Sequence, residues 1–147
     1  MFRPQFPPAR PVIVYSSIAK QVKEDYGIIN GVCLDIGSGR GFLGIALAEI
    51  TNLEVCLVDI DRKVLAEALR NAEQAGVKDK ITGLQADVQM LPFRNESVDL
   101  VVSRGSLFFW EDKIGGLREI YRILNPSGVA FVGGGLGRYL PEEEREN

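Results

Sequence analysis

The chain has 147 residues, 46% of them apolar and 25% charged, with seventeen basic against twenty acidic side chains for a formal charge of -3. That is the size and balance of one folded globular domain rather than a disordered tail. A mildly acidic chain with no Lys/Arg run longer than Arg62-Lys63 lacks the electrostatic footprint of a nucleic-acid binder. No apolar stretch nears the roughly 18–20 residues of a membrane span, so a soluble, cytoplasmic protein is expected.

There is no histidine. This removes imidazole as a general base, as the partner of a Ser or Cys nucleophile and as the commonest transition-metal ligand. Cys33 and Cys56 both fall in β-like apolar runs and read as small buried thiols rather than as a disulfide or a zinc site. No loop carries an oxygen-ligand spacing either, so no metal site is expected.

In chain order, residues 1–11 hold four of the seven prolines and read as an extended arm. From Val12 to Tyr26, the positions of Val14, Ile18 and Val22 are close to helical spacing and predict a leading helix. Val32 to Ile36 reads as a strand that ends in the glycine-rich Gly37-Ser38-Gly39-Arg40-Gly41 and passes into an apolar helix from Phe42 to Ile50. A second strand is predicted over Glu54 to Asp59. Arg62 to Ala75 follows as a helix with Val64, Leu65, Ala68, Leu69 and Ala72 on one face, Asp61 as N-cap and Gly76 as stop.

Ile81 to Ala86 and Val98 to Ser103 are predicted as strands three and four. Ile114, Leu117, Ile120, Tyr121 and Leu124 then repeat at helical spacing until Asn125-Pro126-Ser127-Gly128 ends the helix, and Val129 to Val132 forms strand five. Near-continuously apolar strands alternating with helices predict an α/β fold, a Rossmann-like, doubly wound, mostly parallel sheet in three layers. The core is expected over residues 12–137, with 138–147 a charged, solvated tail.

In such sheets ligands bind beyond the carboxyl ends of the strands, which draws attention to Asp35 through Gly41, Asp59, Asp87 and Ser103 through Ser106. Glycines at 37, 39 and 41 allow a sharp turn and a close approach to a ligand, and the following helix points free N–H groups there. The dinucleotide fingerprint G-x-G-x-x-G fails because Phe42 stands where its last glycine is required, which demotes a nicotinamide-dependent dehydrogenase. Asp59 is suited to accept from a ribose diol with both carboxylate oxygens; with Asp61 available as the N-cap, that reading is preferred.

Leu34-Asp35-Ile36-Gly37-Ser38-Gly39-Arg40-Gly41, Val58-Asp59, Gln85-Ala86-Asp87-Val88, Asp99-Leu100-Val101-Val102-Ser103 and Leu124-Asn125-Pro126-Ser127-Gly128 closely resemble the successive motifs of class I S-adenosylmethionine-dependent methyltransferases of the methyltransferase 11 type. The resemblance covers residues 12–137. It implies methyl transfer from S-adenosylmethionine to a small-molecule acceptor, with an S-adenosylmethionine-binding module or half of a split enzyme as the alternative. Main chain around Gly37, Ser38 and Gly39 would hold the methionine part, with Asp35 ordering the turn and facing the ammonium. Asp59, beside Ile60, would bind the ribose hydroxyls; Asp87 would accept from the adenine amine while Val88 packs on the ring. Ser103 would lie by the reaction centre, and Tyr15 would form part of a lid, with ordinary packing of the leading helix as an equal alternative.

The missing histidine fits this chemistry, because a sulfonium already activates its methyl group and the protein chiefly aligns the acceptor. Arg104 is a candidate for holding a carboxylate or phosphate of the acceptor, with pairing to Glu111 or Asp112 as the preferred alternative, and Phe108, Phe109 and Trp110 could wall the acceptor pocket, with packing as the preferred reading. Relatives continue past strand five with a helix and two further strands, the last antiparallel. Five strands are therefore expected here, and either the sequence is a fragment of a longer protein or a second copy or a partner chain covers the edge of the fifth.

Overall fold

The computed structural model describes residues 10–134, with side chains from residue 13 onward. Its elements are α1 (Arg10–Tyr26), β1 (Val32–Ile36), α2 (Phe42–Ile50), β2 (Glu54–Asp59), α3 (Arg62–Gln74), β3 (Ile81–Gln85), β4 (Val98–Arg104), α4 (Lys113–Ile123) and β5 (Leu124–Gly133). Single 3₁₀ turns occupy Lys78–Lys80 and Leu107–Phe109. The strands form one sheet in the order β3-β2-β1-β4-β5, and every pairing is parallel.

That order fixes where the helices go. From β1 the chain steps outward to β2 and β3, then returns to the other side of β1 for β4 and steps outward again to β5. With right-handed crossovers, opposite stepping directions place the connecting helices on opposite faces. Accordingly α1, α2 and α3 cover one face over Cys33, Val55, Leu57, Leu100 and Val102. On the other face Ile120 and Ile123 of α4 pack over Leu34, Ile36, Val58, Val98 and Val101. Alternate residues of the central strands enter different cores, which is why β1, β2 and β4 are near-continuously apolar, whereas the edge strand β3 exposes Thr82, Gly83 and Gln85. Cys33 and Cys56 follow the same alternation onto opposite faces and are both free thiols, each pushed up in pKa chiefly by burial.

Helix ends carry their expected chemistry. The Asp61 carboxylate accepts from Lys63 N and Val64 N to cap α3, and Asp112 accepts from Gly115 N to cap α4. Gly76, left-handed at φ 78, follows the Ala75 C-cap.

Three expectations are corrected. The extended arm does not reach residue 11: α1 already begins at Arg10, and Pro11 sits in its first turn, where a missing N–H forfeits no intrahelical bond. Residues 1–9, and the 137/138 boundary of the tail, lie outside the described residues. Asn125-Pro126-Ser127-Gly128 is not a simple stop between helix and strand. α4 ends at Ile123, Leu124 pairs with Val98 as the first residue of β5, and Asn125–Gly128 bulge out before Val129 pairs with Leu100. Pro126 has no N–H for a ladder bond, and a bulge is where a strand tolerates that. Finally, β3 stops one residue before Ala86, and β4 runs one residue past Ser103.

The connection from β3 to β4, residues 86–97, contains no helix and crosses the α4 face of the sheet. Its backbone groups still need partners. Arg122 of α4 supplies several, donating from Nη2 to Leu91 O at 2.9 Å and from Nη1 to Phe93 O at 2.8 Å, while Glu119 accepts from Leu91 N at 2.8 Å. The Arg122 and Glu119 side chains also bond each other, which lowers the carboxyl's pKa and raises the guanidinium's. Among the described residues, no helix is long and apolar enough to cross a membrane, and no group of three His, Cys, Asp or Glu is placed to hold a metal.

Candidate functional site

The sheet order reverses between β1 and β4, and the carboxyl ends of the strands open there on a cleft of about 510 Å³. This is the general ligand position in open α/β sheets, and the volume is that of a small-molecule site.

The glycine-rich loop after β1 is a set of three left-handed residues, Gly37 (φ 65), Gly39 (φ 54) and Gly41 (φ 84). It is pinned to the end of β2: Ser38 N donates to Val58 O at 3.0 Å and Gly39 N donates to Asp59 Oδ2 at 2.9 Å. Asp59 Oδ1 accepts from Asp61 N at 2.9 Å. A carboxylate has about four acceptor positions, so these two bonds leave lone pairs toward the cleft, which Asp59 lines. The loop and the acid are thus one unit, with the acid holding the turn it faces.

Asp35 acts behind this unit. Gly41 begins α2 without a side-chain cap, and the Asp35 carboxylate reaches up from β1 to accept from Gly44 N at 3.0 Å in its place. Burial drives its pKa up to about 7, with the charge of Asp59 adding to the rise and the Gly44 bond opposing it. Asp35, Ser38 and Gly39 do not line the cleft, while Gly37 does. The Gly39 amide is already committed to Asp59. The Ser38 hydroxyl is buried without a hydrogen-bond partner.

Past β3, Ala86, Asp87, Val88 and Gln89 form the next wall. Asp87 is exposed; its Oδ1 accepts from Gln89 N at 2.9 Å and its carbonyl from Met90 N at 3.0 Å, so the segment turns tightly beneath the carboxylate. Val88 is buried against the α4-side core with its edge on the cleft. Ile60, at 68% exposed, forms the rim beside Asp59.

The β4–α4 loop closes the remaining side. Ser106 lies directly against Gly37, where any Cβ would fall on the serine's Cβ and Oγ. Its hydroxyl accepts from Trp110 Nε1 at 2.7 Å, so the indole is a buried wall fixed to the loop's first turn. Ser103 is buried, with its hydroxyl donating to Ile36 O at 2.7 Å, and it braces β4 against β1 without lining the cleft. Arg104 lines the cleft, with its guanidinium carbon 5.2 Å from the centre of the Tyr15 ring and Nη1 3.4 Å from the tyrosine hydroxyl. Tyr15 in turn packs on Phe42, ring centres 5.9 Å apart. Asp112, the alternative partner weighed for Arg104, spends its carboxylate on the α4 cap.

Asp59, Ile60, Asp87, Val88, Gly37, Arg104 and Trp110 are therefore brought to one cavity, with Tyr15 reaching Arg104 from α1. Ser106, which the sequence places in the stretch at the end of strand four, also lines it, as does Glu111, expected as a partner of Arg104, and Gln89, to which the sequence gives no role. Polar residues in turns have no periodicity to mark them; only their place directly after Asp87 and Arg104 pointed their way. The lining carries three carboxylates, Asp59, Asp87 and Glu111, against the Arg104 guanidinium, which favours a cationic ligand. Apolar Ile36, Val58 and Val88 at the floor suit a flat ring.

An S-adenosylmethionine fits these residues. The acid lining complements a sulfonium and an ammonium, the buried Ser38 hydroxyl is an orphan beside the glycine loop, and the Gly37 main chain is laid bare to the cleft. Comparison with known proteins agrees. The "Methyltransferase domain" family matches residues 34–132. The chain is 32% identical over 100 residues to the chloroplastic 2-methyl-6-phytyl-1,4-hydroquinone methyltransferase 1 of Oryza sativa subsp. japonica, covering 67% of this chain and 29% of that protein. It is 33% identical over 106 residues to the mitochondrial arginine-hydroxylase of Homo sapiens, covering 72% of this chain and 29% of that one.

Among solved structures, a candidate S-adenosyl-L-methionine-dependent methyltransferase of Methanococcus maripaludis superposes with a TM-score of 0.87 at 35% identity, over 99% of this chain and 71% of its own. The chain spans less than half the length of the curated relatives it matches. With a match that runs from β1 to β5 and a cleft of this construction, the chain belongs to the class I S-adenosylmethionine-dependent methyltransferase family.

Proposed function

We propose that this protein binds S-adenosylmethionine in the cleft at the β1/β4 switch point and transfers its methyl group to a small-molecule acceptor. The observation that carries the reading is the convergence of Gly37, Asp59 and Asp87, at the carboxyl ends of three separate strands, on one acid-lined cavity. Asp59 would take the ribose hydroxyls on its remaining lone pairs, Asp87 the adenine amine, Val88 and Ile60 the ring faces, and the Gly37 main chain the methionine portion. When bound, the cofactor supplies an electrophilic methyl on a sulfonium. The chain's own work is alignment and exclusion of water, and holding reactants at roughly 3–3.5 Å supplies about 7–11 kcal/mol of barrier reduction. Arg104, braced by Tyr15, is placed to hold an anionic group of the acceptor, with Trp110 as the wall behind it.

A second reading is a cofactor-binding module whose acceptor site is completed by another segment or chain. One fact favours it: a curated relative at 33% identity is named a hydroxylase rather than a methyltransferase. Calorimetry with S-adenosylhomocysteine and NAD, followed by incubation with methyl-labelled S-adenosylmethionine and a metabolite extract, tests both. We expect preferential S-adenosylhomocysteine binding and transferred label. Preferential NAD binding would overturn the cofactor assignment, whereas binding without label transfer selects the module. Asp59→Ala should weaken S-adenosylhomocysteine binding by about 1.5–3 kcal/mol, because it removes a charged acceptor and frees the Gly39 amide. Unchanged affinity in a folded variant would remove Asp59 from the site.

A further inference from the structure

Gln89 lines the cleft but has no part in the ligand scheme above. Its backbone N donates to Asp87 Oδ1 at 2.9 Å, and its side-chain Nε2 donates to Asp87 Oδ2 at 3.4 Å. Its Oε1 accepts from Asp112 N at 2.6 Å. Asp112 is the residue that caps α4, and α4 begins against Trp110 so closely that a Cβ on Gly116 would stand 2.8 Å from the indole. One neutral side chain thus joins the loop carrying Asp87 and Val88 to the loop carrying Arg104, Ser106, Trp110 and Glu111.

An amide side chain suits this place for a chemical reason. Toward Asp87 it must donate and toward Asp112 N it must accept; an amide does both at once, while a carboxylate can only accept and an ammonium only donate. Asp87 is exposed and its Oδ1 is held by the Gln89 backbone N; the Gln89 side chain adds a second hold at Oδ2, and without it the carboxylate keeps more rotational freedom to lose on binding a ligand.

We propose that Gln89 is a positioning residue that sets the Asp87 carboxylate in its base-receiving orientation and, through Asp112, ties that orientation to the acceptor-side loop. What Asp87 receives rests on the cofactor reading above. A double-mutant cycle read by S-adenosylhomocysteine calorimetry tests it, using the wild type, Asp87→Ala, Gln89→Ala and the double variant, with ligand-free thermal unfolding as the check on folding. Gln89→Ala should weaken binding about five- to tenfold when Asp87 is present and less than about twofold when it is already alanine. Gln89→Glu keeps the acceptor for Asp112 N but sets a like charge against Asp87, and should weaken binding at least as much as Gln89→Ala. By NMR, exchange of the Asp112 amide proton should accelerate in Gln89→Ala and not in Gln89→Glu.

Equal losses with and without Asp87, or wild-type affinity in Gln89→Ala, overturn the positioning role. An unchanged Asp112 exchange rate in Gln89→Ala overturns the tie between the loops. A folded wild type that does not bind S-adenosylhomocysteine overturns the cofactor reading itself, and the role of Gln89 with it.

Discussion

Gly37 has no space for a methyl group, because its left-handed backbone and the Ser106 side chain each exclude one independently. Gly37→Ala should therefore destabilise the protein by about 2–4 kcal/mol, combining the backbone penalty with overpacking. In urea unfolding, adding Ser106→Gly should restore part of the loss; no recovery would mean that backbone conformation alone accounts for it. The same loop shows how far single residues are legible in a sequence. An acid at the end of the second strand announces a residue at the cleft, but not that Asp59 also ties down Gly39, since the glycine loop is distant in sequence. Asp35 reads as a residue facing the ligand, yet its carboxylate is turned to α2, because Gly41 cannot cap its own helix. Ser106 and Gln89 depend on partners in other segments and leave no local pattern.

Among the elements, α4 has a task beyond covering the sheet. It gives the helix-free segment 86–97 the hydrogen bonds that a crossover helix would have made internally. Arg122 does most of this through its fork, reaching Leu91 O, Phe93 O, the Asn95 side chain and Glu119 together. Lysine cannot reproduce that geometry. Arg122→Lys should cost about 2–3 kcal/mol by chemical denaturation and speed amide exchange across 91–97 while leaving α1 to α3 protected. Equal acceleration in α2 would place the effect elsewhere. Elements with a strong period, α3 and the buried strands, were readable from sequence nearly to the residue. The Asn125–Gly128 stretch was not, because a turn composition serves equally a helix stop or a bulge, and only pairing with β4 decides between them.

For the molecule as a whole, Asp35 couples stability to pH. Its folded pKa of about 7 lies above the unfolded value of about 3.9. Between those values the folded chain holds the extra proton, so the contribution of this group is full below about pH 4 and is lost as pH rises toward about 7. Asp35→Asn keeps an oxygen for Gly44 N and cannot ionise, so relative to wild type it should gain on the order of 2–4 kcal/mol between pH 4 and 8. Urea midpoints at pH 5 and 8 measure this, and parallel profiles for the two proteins would show that Asp35 does not titrate in that range. The fold class and strand order follow from strand–helix alternation and crossover handedness; which loops meet becomes visible only once the sheet is assembled. Because the chain changes winding direction only once, nearly every wall of the cleft is a strand-to-helix or strand-to-strand turn whose neighbours in sequence are already locked into one of two separate interiors. Under the proposed function, selection is thereby free to rewrite Phe108, Phe109 and Glu111 for a new acceptor while both interiors stay as they are, because Leu107 and Trp110 are the residues of that turn that pack into the α4-side interior.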